Sequence, residues 1–263
     1  MNASIGIFDS GLGGLTVVKE VIRQLPREDV VYYGDTARVP YGTKSRKSII
    51  RFSRKNTLVL MQSHVKMIVV ACNSSASYAM PTLRKHFRIP ILGVIEPGVQ
   101  SAIKTTKNRK VGVIATAATI ASGSYEKKLK SGLPNVKVYT RPCPLLVPLV
   151  EEGRLDGPVT RAVVKEYIQP LLNKGIDTLI LGCTHYPLLK SVIQNVAGKR
   201  VVLIDSAQAM ALAVEKKLNA LGLASERKRK AKYKLILSDK PQNFEKIAQR
   251  FLERKLPISV RRK

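Results

Sequence analysis

Several features that often classify a protein are scarce or missing in this chain of 263 residues. It has no tryptophan, an aromatic content of 5%, and 18 acidic residues against 46 basic ones. No uncharged apolar run reaches 18 residues, which argues against a transmembrane helix and a membrane partner. The N-terminus shows neither a basic region nor a long apolar region before the first apolar run, so we expect no signal peptide.

Cysteine is scarce as well. Cys72, Cys143 and Cys183 are too few and too widely spaced for a disulfide framework. Their simplest interpretation is as small buried apolar residues, and that interpretation fits a reduced, cytoplasmic protein. We therefore expect a cytoplasmic location.

The shortage of acidic residues gives a net charge of +28. Such a charge can attract nucleic acid, an anionic membrane or an anionic substrate, or it can reflect only compositional bias. The densest basic cluster, residues 227–232, follows Gly222 and is typical of a solvated loop. Because a nucleic-acid groove usually adds stacking aromatic residues, nucleic acid is a disfavoured but open partner.

Short apolar runs alternate with segments of helical periodicity along the whole chain. The runs at 5–8, 30–33, 67–70 and 91–94 predict strands, and the spacing of Leu15, Val18, Ile22 and Leu25 predicts a helix. A further helix is expected to open at Pro97. This alternation predicts an α/β fold with parallel sheets and helices on both faces.

The same order of apolar runs occurs twice along the chain. The runs at 111–114 and 136–139 match those at 5–8 and 30–33 with an offset of 106, and later runs at 179–183 and 201–205 match at offsets of 109 to 111. We therefore predict two similar parallel-sheet α/β domains related by a pseudo-two-fold axis, with the active site in the cleft between them.

The domain boundaries follow from this repeat. The second domain is expected at 98–206. The tail contains a helix at 209–221, a strand at 233–237 and a helix at 244–252, and we expect it to return to the first half. The first domain is therefore predicted to comprise residues 1–97 together with 207–263.

Cys72 and Cys183 occupy matched positions in the two halves. Each follows an apolar strand and precedes residues that start helices. Ligands of open parallel sheets bind beyond the carboxyl ends of the strands, so the two thiols are expected to face one cleft. A nearby helix N-terminus lowers the pKa of a thiol, which would make each cysteine a usable base.

Two other roles for the second cysteine stay open. Cys183 and His185 could be two zinc ligands, but neither a CxxC nor an HxxxH motif accompanies them, so we expect no metal. Cys183 could instead be a nucleophile with His185 as its base, and that interpretation leaves Cys72 unexplained.

The glycine-rich segment from Asp9 to Gly14 resembles a phosphate loop without matching one. Leu15 follows where a P-loop needs lysine, and Thr16 stands where the dinucleotide fingerprint needs glycine. It is therefore expected either to bind a small anion such as a carboxylate through its N–H groups or to be a tight turn without a ligand.

Further polar residues accompany these motifs. Asp35 ends the second predicted strand, and Tyr41 and Gly42 follow in a turn that could line the same cleft. Glu151 lies at a predicted helix C-terminus, where the helix dipole disfavours an acid, and this placement hints at function.

Six segments together carry a resemblance to a known family. They are residues 6–14, 33–36, 40–42, 71–74, 93–97 and 181–187. In these segments the chain resembles the glutamate racemases, within the aspartate/glutamate racemase superfamily. Two features depart from that pattern: Ser74 stands where the family usually has threonine, and the charge of +28 is unusually basic.

The resemblance implies interconversion of L- and D-glutamate without pyridoxal phosphate or any other cofactor, which supplies D-glutamate for peptidoglycan. Cys72 and Cys183 are implied as the two acid/base residues, assisted by Asp9 and His185 respectively. The residues implied to hold the carboxylates and the ammonium group of the substrate are Asp9, Ser10, Tyr41, Gly42, Asn73, Ser74, Thr184 and His185. Asp35 and Glu151 are implied as secondary polar contacts. Aspartate is the alternative substrate, and a homodimer is an open assembly.

Overall fold

The structure of the chain is a computed structural model. It describes residues 3–226, 229–240, 242, 244–253 and 259–262. Within these residues ten strands form: β1 (Ser4–Asp9), β2 (Val30–Gly34), β3 (Val65–Val70), β4 (Ile91–Gly93), β5 (Lys110–Ala115), β6 (Lys137–Pro142), β7 (Thr178–Gly182), β8 (Val202–Asp205), β9 (Tyr233–Leu237) and β10 (Ser259–Arg262).

Helices separate these strands in the described parts of the chain. The α-helices are α1 (Leu15–Gln24), α2 (Arg46–Met61), α3 (Asn73–Tyr78), α4 (Met80–His86), α5 (Ile95–Thr105), α6 (Ala117–Ala121), α7 (Ser124–Gly132), α8 (Leu146–Glu151), α9 (Pro158–Leu172), α10 (Lys190–Ala197), α11 (Ser206–Ala220) and α12 (Phe244–Leu252). Short 3-10 helices cover Thr36–Arg38, Tyr41–Thr43 and Tyr186–Leu189. No helix of the described residues is both long and apolar enough to cross a bilayer.

The strands form two separate sheets in which every neighbouring pair is parallel. The first sheet has the order β10-β9-β2-β1-β3-β4, and the second has the order β6-β5-β7-β8. The predicted fold class of two parallel-sheet α/β domains is therefore confirmed. Both sheets contain the same strand order, because β2-β1-β3-β4 in the first sheet corresponds to β6-β5-β7-β8 in the second. A repeated half-molecule predicts this shared order.

The tail returns to the first sheet, as the sequence predicts. The predicted strand at 233–237 is β9, and it pairs with β2 in a register that starts at Val30 and Tyr233. The division of the chain at 97/98 and 206/207 stays a prediction, and both points fall in the first turn of a helix, α5 and α11. These two crossings are adjacent, because a Cβ at Gly98 would lie 3.2 Å from Ser206 Oγ.

Strands β1, β2, β3, β5 and β7 are buried on both faces, which explains their continuous apolar runs. Ile5, Ile7 and Phe8 are fully buried, and Val111 and Val113 are their counterparts in the second sheet. These side chains belong to one hydrophobic core that extends through both sheets and their helices. Both sets of strand ends are thereby held firmly enough to position the loops that follow them.

Two local predictions need correction. The helix expected to open at Pro97 begins two residues earlier, at Ile95. Pro97 fits in its first turn because the N–H group that proline lacks has no partner within the helix there. Residues 227 and 228 of the basic cluster lie outside the described residues. Within that cluster, Arg229 does more than face solvent, since its Nη2 lies 2.7 Å from Asp29 Oδ2.

Candidate active site

The two cysteines follow the central strands of the two sheets and line one small cavity. Cys72 comes two residues after β3, and Cys183 comes directly after β7. The cavity has a volume of about 20 Å³. Its other lining residues are Ser10, Val39, Pro40, Tyr41, Gly42, Asn73, Ser74, Thr116, Val147, Thr184 and His185. The cavity therefore brings together the residues that the sequence indicated, except Asp9, Asp35 and Glu151, which are not among its lining residues.

Cys72 and Asp9 form what we call the first half-site. The thiol precedes the six-residue helix α3 as its N-cap residue. Burial, together with the neighbouring Asp9 carboxylate, raises the pKa of Cys72 to about 12, and weaker hydrogen bonds from Ser75 and Ser10 oppose this. The expected lowering of this pKa is therefore wrong, because a short helix offsets too little of the desolvation. Cys72 holds its proton at neutral pH.

Asp9 lies at the end of β1 and is completely buried. Burial raises its pKa, while the charge of His185 and hydrogen bonds from the N–H groups of the glycine-rich turn act in the other direction. One of these bonds runs from the Gly11 N–H to Asp9 Oδ2, at 3.0 Å. Asp9 therefore supplies a carboxylate to N–H groups of this turn, and binding of a separate anion there stays a prediction.

The glycine-rich turn also lies against the second domain. A Cβ at Gly13 would lie 2.5 Å from side-chain atoms of both Thr184 and His185. Glycine is needed here because any side chain would push the two halves of the site apart. The Thr184 hydroxyl reaches Asp9 Oδ1 at 3.5 Å and so links the two halves.

Cys183, His185 and Glu151 form what we call the second half-site. Cys183 Sγ lies 3.8 Å from His185 Nδ1, and His185 Nε2 lies 3.2 Å from Glu151 Oε1. Burial acts to lower the pKa of His185, but hydrogen bonds and charge from Cys183 and Glu151 outweigh it and raise that pKa to about 10. His185 is therefore an imidazolium ion at neutral pH, with one N–H directed at each partner.

Asp35 supports the cavity from behind Tyr41. It is completely buried, and both of its oxygens lie 2.9 Å from Arg38 Nη1. The Tyr41 hydroxyl donates to Asp35 Oδ2, and the Asn56 amide donates to the Tyr41 oxygen at 3.1 Å. Asp35 thus orients the ring of Tyr41 and is not itself among the lining residues.

The sequence analysis missed Thr116, which lines the cavity from the second domain. Its hydroxyl lies 3.0 Å from Ser74 Oγ, and a Cβ at Gly42 would lie 2.7 Å from its Cβ. A signal was present, because Thr116 follows β5 as Ser10 follows β1, at the same offset of 106. Tyr125 was missed too, and its hydroxyl donates to Asn73 Oδ1 at 2.7 Å.

The remaining cysteine has different surroundings. Cys143 is fully buried, and burial raises its pKa to about 12. Its carbonyl accepts a hydrogen bond from Tyr186 at 3.0 Å. Throughout the described residues, no group of three or more His, Cys, Asp and Glu side chains could hold a metal ion. Cys183 and His185 thus have no third ligand there.

A sequence profile of the Asp/Glu/Hydantoin racemase family matches residues 5–214. The chain belongs to this family. Among its relatives in the family is a glutamate racemase from Persephonella marina, which is 51% identical over 245 residues, or 93% of this chain and 91% of the relative.

Solved racemase structures superimpose closely on this one. A glutamate racemase from Francisella tularensis in complex with D-glutamate matches with a TM-score of 0.93 and 37% identity, covering 100% of this chain and 97% of that one. A glutamate racemase isoform from Bacillus anthracis matches with a TM-score of 0.94 and 40% identity over 98% and 97% of the two chains.

Proposed function

We propose that the chain is a glutamate racemase that moves the α-proton of glutamate between Cys72 and Cys183 without a cofactor. The observation that carries the proposal is that two thiols from separate sheets line one cavity, each with its own polar partner. Inversion at Cα requires a proton to leave one face and another to reach the opposite face, and two thiols on opposite sides of a substrate meet that requirement. The glutamate racemases among the relatives support the choice of substrate.

The charges around the cavity suggest the starting state. We assign the first proton removal to Cys183, because burial keeps the proton on Cys72 and the cationic ring of His185 lies 3.8 Å from Cys183 Sγ. From this state the Cys183 thiolate takes the α-proton of L-glutamate, and Cys72 donates its thiol proton to the opposite face, giving D-glutamate. Cys183 is then the thiol and Cys72 the thiolate, which is the state that accepts D-glutamate for the reverse reaction.

The neighbours of each thiol assist these transfers. Asp9 assists Cys72, because a carboxyl group whose pKa is raised by burial is a better proton partner for a nearby thiolate. His185 assists Cys183 and is itself held by Glu151. General acid–base catalysis contributes about 10²–10⁴-fold, so orientation and electrostatic stabilisation of the carbanion must supply the rest.

The substrate is held by the polar groups of the cavity wall. Hydroxyl, amide and main-chain N–H donors suit two carboxylates, and Asp9 suits the ammonium group. We assign this role to Ser10, Tyr41, Gly42, Asn73, Ser74, Thr184 and His185 of the wall, with Thr116 as an addition from the structure. Asp9, which is buried next to Cys72 and is not a lining residue, joins them in this proposal, and Asp35 and Glu151 are secondary contacts. The product would supply D-glutamate for peptidoglycan in the cytoplasm.

The first experiment is proton NMR of the purified protein with L-glutamate in D₂O, with EDTA and without added cofactor. We expect the α-proton signal to disappear as deuterated D-glutamate forms. Exchange with aspartate in place of glutamate would keep the two-thiol mechanism and change the substrate. If neither amino acid exchanges, the enzymatic proposal fails.

The net charge of +28 leaves nucleic acid as a separate candidate partner. Phosphate contacts release counterions, so binding of this kind weakens steeply with salt. Titration of a fluorescent DNA duplex at low and at moderate salt tests it, and absence of binding at low salt would remove this partner. Sedimentation of the same preparation tests the homodimer.

A further inference from the structure

Helix α12 contacts both polar partners of Cys183 without lining the cysteine cavity. The Phe251 ring meets the His185 ring edge to face, with centroids 5.4 Å apart and an interplanar angle of 89°. Phe251 is fully buried. An edge-to-face contact fixes the plane of a ring as well as its place, so Phe251 limits the rotation of the imidazole.

Arg250, the residue before Phe251, binds the backbone at Glu151. Arg250 Nη1 donates to the carbonyl oxygens of Val150, at 2.9 Å, and of Glu151, at 3.1 Å. These residues end α8, where the helix dipole already places partial negative charge. Glu151 adds a full negative charge at this point, and the guanidinium of Arg250 offsets it. The acid that the helix dipole disfavours at this place therefore has a compensating cation from the tail.

The fit of this guanidinium is close. A Cβ at Gly153 would lie 2.4 Å from Arg250 Nη2, so a side chain there would displace the guanidinium from its present place. Gly153 also has a φ of +77°, which glycine adopts without strain. The segment after α8 is thus shaped around Arg250.

Helix α12 itself is anchored to the first domain. It packs against α1, and Lys19 of α1 forms an ion pair with Glu253, with Nζ 2.7 Å from Oε1. The second half-site is therefore held from two sides, by its own loops in the second domain and by a helix that belongs to the first.

We propose that Arg250 and Phe251 are positioning residues of the second half-site, which hold Glu151 and the His185 ring so that Nδ1 faces the thiol of Cys183. This inference rests on the proposed racemase function. Both residues act through His185 and neither lines the cavity that the two thiols share.

The first test measures the titration of His185 by NMR and does not depend on enzyme activity. The chain has three histidines, and His64 and His86 are exposed and distant in sequence, so they are internal controls in the NMR spectrum of histidine-labelled protein. The titratable groups facing His185 are Cys183, Glu151 and Asp9, with Arg250 beside Glu151. In Phe251→Leu, which changes no charge, we expect His185 to titrate at a lower pH than in the wild type, because a mobile ring loses hydrogen bonds to Cys183 and Glu151.

The second test measures the steady-state kinetics of racemisation. Phe251→Leu and Arg250→Gln should each lower kcat by about tenfold with little change in KM, since misplacement of a catalytic group by a fraction of an ångström costs rate rather than binding. Arg250→Lys should recover part of the loss, because it keeps a cation and a donor at the end of α8. Gln249→Ala is the matched control on the exposed face of α12 and should keep wild-type kinetics.

The outcomes are separable. Wild-type protein that does not racemise glutamate would defeat the proposed function, while the histidine titration would still judge the positioning. If Phe251→Leu and Arg250→Gln fold normally by circular dichroism and leave both the His185 titration and kcat unchanged, the positioning role is wrong. An equal loss of kcat in the Gln249→Ala control would also overturn it.

Discussion

The two half-sites occupy equivalent places in equivalent sheets, yet their surroundings are opposite in charge. Cys72 has a buried carboxyl group beside it and a raised pKa, whereas Cys183 has an imidazolium that Glu151 holds in place. The repeated fold therefore supplies two matched thiol positions, and the neighbours distinguish them. One thiol lies beside an acid and keeps its proton, and the other lies beside a cation.

The largest effect should come from removing either thiol. Cys72→Ser and Cys183→Ser replace sulfur with a far less acidic hydroxyl, so each should lower racemisation by about 10³-fold or more, or about 4 kcal/mol of transition-state stabilisation. The appearance of D-glutamate, followed by circular dichroism of the amino acid, measures this. Cys143→Ser is the matched control and should keep racemisation per folded molecule, whereas full activity in either of the other two variants would end the two-thiol mechanism.

The next effect sharpens the difference between the half-sites. Asp9→Asn keeps the size of the side chain, and His185→Asn replaces the ring with a smaller amide. Both remove the ionisable group, and each should cost about 10–100-fold in kcat/KM. Because the two glutamates are mirror images, kcat/KM must be equal in both directions for every variant, so rates alone cannot tell the half-sites apart.

Isotope effects can separate them. With His185→Asn, proton removal by Cys183 becomes more rate-limiting, so the deuterium isotope effect should rise for α-deuterated L-glutamate and fall for the D-enantiomer. With Asp9→Asn the two changes should be reversed. Shifts of the same sense in both variants would contradict separate assistants for separate thiols.

A smaller effect concerns pH. The pKa of His185 is raised to about 10, so its positive charge is lost as the pH rises through that value, and kcat/KM should fall on the alkaline side. This folded pKa lies above the unfolded value of about 6.5, so the stabilisation that His185 gives is complete below pH 6.5 and declines up to about pH 10. The melting temperature should therefore fall over that range, and less so in His185→Asn. An equal fall in that variant would assign the effect to other groups.

The smallest effect should come from the support behind the cavity wall. Tyr41→Phe removes the hydroxyl that donates to Asp35 and accepts from Asn56, while the aromatic ring stays. We expect KM for glutamate to rise a few-fold, consistent with a net hydrogen-bond contribution of about 1 kcal/mol, and kcat to change little. A large loss of kcat instead would place the hydroxyl in the chemistry itself. Steady-state kinetics distinguish the two.

The sequence predicts those features of the fold that depend on local patterns of apolar residues. The strand runs, the repeat and the tail strand at 233–237 all rest on apolar periodicity, and the structure has them. The charge state of Cys72 could not be predicted, because desolvation depends on the burial that the whole fold creates. The contacts of Arg250 and Phe251 join segments about 100 and 66 residues apart, and no local pattern marks them.

The chain order of the first sheet has a consequence for synthesis on the ribosome. β2 is an interior strand of the finished sheet, paired with β1 and β9. All strands of the second sheet, β5 to β8, emerge before β9 does. Until β9 arrives, β2 is an edge with open hydrogen-bonding groups, and such edges invite pairing with other chains. The growing polypeptide therefore passes through a stage at which its later-made sheet can close while its earlier-made sheet still needs protection.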